Sequence, residues 1–154
     1  MSLPAGERIF VGLGANLGDA VATVQAAFDA LDALPGTHCV ARSSLYRTAP
    51  VDAAGTDYIN AVAELRSMLE PELLLAALQS VEARFGRERP YRHAPRTLDL
   101  DLLLYGVRRI ATPTLTLPHP RLHERAFVVT PLAEIAPDLA SNPVTGQRID
   151  RIRP

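Results

Sequence analysis

Apolar positions along the chain change period several times, and each change marks an element. The run Arg8 to Leu13 (RIFVGL) predicts a first strand, and the GLGANLG stretch after it predicts a turn into a helix. Val21, Val24, Phe28, Leu31 and Leu34 recur every three or four residues, giving a helix from about Asp19 to Leu34 one apolar face. Asp19 suits its N-cap, and Pro35-Gly36 stops it. His38 to Arg47 reads as a second strand and, past a loop with Pro50 and Gly55, Tyr58 to Arg66 reads as a third. In the third, Ile59, Ala61, Ala63 and Leu65 alternate with Tyr58, Asn60, Val62 and Glu64, so Tyr58 and Asn60 share a face.

Glu70-Pro71 opens a second helix whose stripe is Leu74, Leu78, Val81 and Phe85, with Gly86 at its end. Gln79 and Glu82 flank that stripe. The segment GRERPYRHAPR is dense in arginine and proline and predicts a surface loop. Leu98 to Tyr105 is a fourth strand, Val107 to Leu117 a short hairpin or edge extension, and Arg125 to Ile135 a helical turn or two broken near Pro131. The tail is weakly patterned. Strand, helix, strand, strand, helix, strand is the βαββαβ order of ferredoxin-like α+β folds, an antiparallel sheet with helices on one face, here followed by a C-terminal hairpin and short helix. No repeat, linker or second domain interrupts residues 1–154.

Composition narrows the function classes. At 154 residues the chain suits one domain, and no apolar run approaches the ~20 residues that span a bilayer. The beginning, MSLPAGERIF, has neither a basic n-region nor an apolar h-region, which predicts the cytoplasm. Cys39 is the only cysteine, so no intrachain disulfide forms, and the alternation of HCVAR makes it a half-buried strand residue. All 16 basic residues are arginine, which excludes Schiff-base and Walker-type lysine chemistry. The net charge of −1 offers no field to attract nucleic acid, and nothing in the chain demands more than a monomer.

The chemistry centres on LDLDLLLY. A two-residue period sets Leu98, Leu100, Leu102 and Leu104 on one face and leaves Asp99 and Asp101 on the other, with Cα atoms about 7 Å apart. Such a pair is either a solvated polar face or, because neighbouring carboxylates repel, a magnesium site. Alone, the motif is short enough for the solvated face to be the default. Arg84, Arg87, Arg89, Arg92 and Arg96 lie within fifteen residues of it, and metal with guanidinium groups is phosphate chemistry. The glycines of GLGANLGD fit neither G-x-G-x-x-G nor a P-loop, so they are structural first, serving positive φ in a turn, with Asn16 near a cleft. His119 and His123 have the spacing of some zinc sites, but Pro118 and Pro120 oppose a helical pair. His119 then reads as a phosphate hydrogen-bond donor beside Arg121 and Arg125. Tyr58 with Asn60 can stack on and hydrogen-bond a flat heterocycle, and Phe127 is another scarce aromatic.

Taken in order, VGLGANLGD, SSLYRTAP, DYINAVAEL, APRTLDLDLLLYG and LPHPRLHERAFVVTPLAEIAP resemble the 6-hydroxymethyl-7,8-dihydropterin pyrophosphokinases over nearly the whole chain. His93 stands where some members carry tryptophan and Pro120 where some carry tyrosine. The resemblance implies transfer of pyrophosphate from ATP to a reduced pterin in folate synthesis, with two magnesium ions held by Asp99 and Asp101. It further implies Gln79, Glu82, Arg87, Arg89, Arg96, Thr116, His119 and Arg125 as ATP contacts, with Arg87, Arg89 and Arg96 also assisting transfer. Thr48, Val51, Tyr58, Asn60 and Phe127 would form the pterin pocket. Two alternatives stand beside it: a DxD nucleotide-sugar transferase, and a ferredoxin-like binding module without catalysis.

Overall fold

Strand β1 (Ile9–Ala15) runs through the middle of an antiparallel sheet, between β4 (Tyr58–Ser67) and β5 (Asp99–Tyr105). The computed structural model describes residues 6–16, 18–48, 57–86, 98–122, 125–139 and 149–152. All of β1 is buried. On one face lie α1 (Ala20–Asp32) and α2 (Pro71–Gly86), and Ile9, Val11 and Leu13 pack with Val24, Phe28, Leu31, Leu74, Leu78 and Val81. On the other, Phe10, Val62 and Leu103 meet Val128 and Leu132 of α3 (Ala126–Ile135). The expectation of helices on one face therefore holds for the βαββαβ core, and α3 adds a third layer behind it.

Two short strands, β2 (Thr37–Arg42) and β3 (Tyr46–Thr48), both pair with β4, and β8 (Ile149–Arg151) extends the sheet beyond β3. With β2 and β3 taken as halves of one strand, the order β5, β1, β4, β3 is the ferredoxin-like arrangement. A separate hairpin of β6 (Ile110–Ala111) and β7 (Thr116–Leu117) follows β5, where the sequence predicts it.

Four local expectations are corrected. The strand His38–Arg47 is interrupted at Ser43, whose hydroxyl accepts from Val62 N at 2.9 Å and donates to Ser44 O at 2.8 Å, a side chain standing in for backbone pairing. Leu104 does not join Leu98, Leu100 and Leu102. The β1–β5 register shifts so that Phe10 pairs with Leu104 and Val11 with Leu102, and this bulge turns Leu103 and Leu104 toward the α3 side. Helix α3 runs through Pro131 rather than breaking, because Val128 and Leu132 anchor it on either side of the missing N–H. In the glycine-rich stretch only Gly18 has positive φ (59°), while Gly12 and Gly14 are extended residues of β1.

Asp19 caps α1 as predicted, its carboxylate accepting from Ala22 N at 3.1 Å. Half-buried Cys39 sits on β2, also as predicted. Gly106 turns the chain after β5 with φ 58°, and a Cβ there would lie 2.8 Å from Glu7 Cβ. Gly106→Ala is expected to lower stability by about 1–3 kcal/mol, read as a lower denaturant midpoint at unchanged slope.

Candidate active site

Three strands set the site, and the central one contributes an absence of side chains. Gly14 on β1 pairs with Asn60 on β4 and Asp99 on β5, and Gly12 pairs with Val62 and Asp101. All these positions face the α3 side. Gly14 therefore floors a trough between the carboxylate wall and Asn60, and the Leu103 side chain closes it over Gly12, its Cδ1 3.5 Å from where a Cβ would stand. The walls stand two strand spacings apart, roughly 10 Å, which is room for a flat ring and the group attached to it. The sequence offers GLG as turn glycines, and alternation along β1 is the signal that would have found this role.

Asp99 is exposed and Asp101 half-buried at one end of β5. Among the described residues no cluster of three or more His, Cys, Asp or Glu could cage a metal. Two neighbouring carboxylates on one face of β5 fit an ion that keeps waters and takes its other oxygens from phosphates, as magnesium does. Glu82 of α2 has a definite structural partner: its Oε2 accepts from Leu100 N, between the two aspartates, at 2.8 Å. Gln79 lies exposed one turn earlier, and Thr116 lies exposed on β7 beside β5.

The β5 bulge also places a histidine. The carbonyl of Leu103 accepts from His119 N at 2.9 Å, which draws the segment after β7 over the end of the trough. Burial, with the charges of Arg125 and Arg121, lowers the His119 pKa against the opposing pull of Asp101. His119 Nδ1 accepts from Arg121 N at 3.2 Å, so the proton resides on Nε2, a hydrogen-bond donor close to the carboxylates. Arg125 precedes α3 and stacks its guanidinium over the Phe127 ring, 5.3 Å from the centroid.

At the other wall, Asn60 and Thr48 are each only 6% exposed, and Asn60 Nδ2 donates to Thr48 Oγ1 at 2.7 Å. That bond fixes the amide so that its Oδ1 overhangs Gly14, 3.0 Å from where a Cβ would stand. Tyr58, half-buried, pairs with Thr48 at the end of β4. Asp99, Asp101, Asn60 and Tyr58 thus share one face of the sheet, as the alternation predicts, and His119 lies within electrostatic reach of Asp101. Val51, Arg87, Arg89, Arg92, Arg96 and His123 lie outside the described residues.

Residues 10–137 match the family model of 7,8-dihydro-6-hydroxymethylpterin-pyrophosphokinase (HPPK). The chain is 46% identical over 134 residues to a 2-amino-4-hydroxy-6-hydroxymethyldihydropteridine pyrophosphokinase from Pseudomonas aeruginosa, covering 86% of this chain and 83% of that one. It is 44% identical to the protein of the same name from Methylorubrum extorquens, covering 86% and 84%. With its counterpart from Haemophilus influenzae the identity is 45%, covering 84% and 82%. A trough walled by paired carboxylates and a fixed amide, on a sheet of this order and within a match of this extent, is accounted for in one way: the chain belongs to the HPPK family.

Proposed function

We propose that this chain transfers pyrophosphate from ATP to the hydroxymethyl group of 6-hydroxymethyl-7,8-dihydropterin, giving AMP and the pterin diphosphate, a step of folate biosynthesis. The observation that carries the reading is the trough: Asp99 and Asp101 on one wall, Asn60 with Thr48 on the other, and Gly14 between them. Family membership supports it over the sugar-transferase and binding-module alternatives.

In this reading Asp99 and Asp101 hold two magnesium ions, which when bound neutralise the triphosphate and the charge that develops during transfer. Asn60 and Thr48 bind the polar edge of the pterin, and Tyr58 and Phe127 stack on its faces, with Val51 completing the pocket. His119 donates through Nε2 to a phosphate oxygen, and Arg125 binds another, its planar fork steadied on Phe127. Arg87, Arg89 and Arg96 complete the phosphate contacts and assist transfer, and Gln79, Glu82 and Thr116 contact the nucleotide.

The hydroxymethyl oxygen forms a bond to the β-phosphorus as the bond from that phosphorus to its bridging α-oxygen breaks. AMP leaves with that oxygen, and the hydroxyl proton passes to solvent. No strong base is needed, since positioning and charge neutralisation carry the step. The reaction belongs to the cytoplasm in this reading, with the protein a monomer that takes neither nucleic acid nor membrane as a partner. No described helix is long and apolar enough to cross a bilayer.

Incubation of the protein with ATP, magnesium and the pterin is expected to yield AMP and pterin diphosphate in equal amounts by anion-exchange chromatography. ADP in place of AMP, or folded protein without turnover, would overturn the assignment.

A further inference from the structure

Helix α3 presses on the sheet through Val128 and Leu132, and apolar contact of this kind is non-directional. A directional tie lies at its C-terminal end. Glu134 Oε1 accepts from Tyr46 OH at 2.7 Å and from Ser44 N at 2.9 Å. Its Oε2 accepts from Ser44 Oγ at 2.8 Å, and Arg151 Nη2 of β8 stands 4.0 Å away. Ser44 lies in the break between β2 and β3, and Tyr46 opens β3. One carboxylate therefore gathers the interruption, the start of β3 and the last strand onto α3.

The pieces so tied lead directly to the pterin pocket. Tyr46 pairs with Asn60 in register, and Thr48, two residues on, accepts the Asn60 amide. Along α3, Glu134 is seven residues from Phe127, about 10 Å of helix. We propose that Glu134 is a positioning residue for the pterin site, setting the distance between the sheet wall that carries Thr48 and Asn60 and the helix that carries Phe127. The inference rests on the reaction assigned above. Burial, and then the hydrogen bond to Glu134, push the Tyr46 phenol up to about 12, so it remains a donor throughout the working range. Burial alone would raise the Glu134 pKa, but the bonds from Tyr46 and Ser44, with the Arg151 charge, bring it below its ordinary value. The tie is thus made by an ionised acceptor and a neutral donor.

Steady-state kinetics of the full chain, varying each substrate in turn, tests the role with Glu134→Ala, Glu134→Gln and Tyr46→Phe. Glu134→Ala is expected to raise KM for the pterin about tenfold while moving KM for ATP less than about twofold. Glu134→Gln, which keeps an acceptor oxygen, is expected to recover most of the loss. Tyr46→Phe removes one hydroxyl and is expected to raise the pterin KM about threefold; it carries the test if Glu134→Ala does not fold. Equal rises in both KM values, or an unchanged pterin KM in Tyr46→Phe or in folded Glu134→Ala, would overturn the positioning role alone. A wild-type enzyme that forms no pterin diphosphate would overturn the reaction and this inference with it.

Discussion

Asp101→Asn is expected to lower kcat on the order of a thousandfold with the fold intact. The substitution keeps size and shape on a strand already held by β1 on one side and by Glu82 at Leu100 N on the other. What it removes is one of two adjacent negative charges. The trough then has half of its carboxylate wall with which to hold magnesium against a triphosphate, and His119 loses the neighbouring charge that opposes the lowering of its pKa. Rapid-quench single-turnover measurements across a magnesium titration separate the two consequences. A slower chemical step and a requirement for higher magnesium are both expected, with an unchanged circular dichroism spectrum. Single-turnover rates within tenfold of wild type would exclude Asp101 as a ligand. Asp99→Asn is expected to behave alike, because Asp99 stands on the same wall one row away.

Gly14→Val is expected to cut kcat/KM for the pterin on the order of a hundredfold through occlusion rather than unfolding. A Cβ at Gly14 would already stand 3.0 Å from Asn60 Oδ1, and the two methyls of valine would project into the trough. The backbone itself accepts valine, since Gly14 is an extended residue of a central strand, where β-branched side chains are favoured. Pterin titration followed by ligand fluorescence, beside thermal unfolding, distinguishes the two causes. Weak pterin binding at a melting temperature near wild type supports the floor; equal loss of both assigns Gly14 to packing instead.

How far the sequence alone reaches differs between neighbouring elements for physical reasons. Alternation in DYINAVAEL and LDLDLLLY places Tyr58, Asn60, Asp99 and Asp101 correctly, because their partners are fixed by a buried face that a one-residue slip would expose. The same rule misplaces Leu104, since a bulge changes parity and leaves no mark in a run of leucines. It also joins β2 to β3, because whether the Ser43 hydroxyl bonds to Val62 or to water depends on a strand nineteen residues away. Pro131 predicts a break from local geometry alone, and the packing of α3 overrides it. Strand β8 has only three residues and takes its support from β3, so its periodicity is too brief to read. At the site, residue types announce the carboxylates and the amide. The floor at Gly14 is silent because its contribution is space, and Glu134 is silent because helix and strand meet there across some ninety residues of chain.

The hydrogen bond from Leu100 to Glu82 bears on more than the shape of one strand. Among the described residues β5 is the last strand on its side of the sheet, and an outer edge with open N–H groups is a template on which a second chain can add a strand. Glu82 occupies one such donor at the middle of the DLD segment and sets a carboxylate beside Asp99 and Asp101. An incoming strand would have to displace that bond and approach three acidic side chains at once. The same acidity that fits this end of the sheet for a cation thereby also makes its edge an unfavourable seat for an added strand.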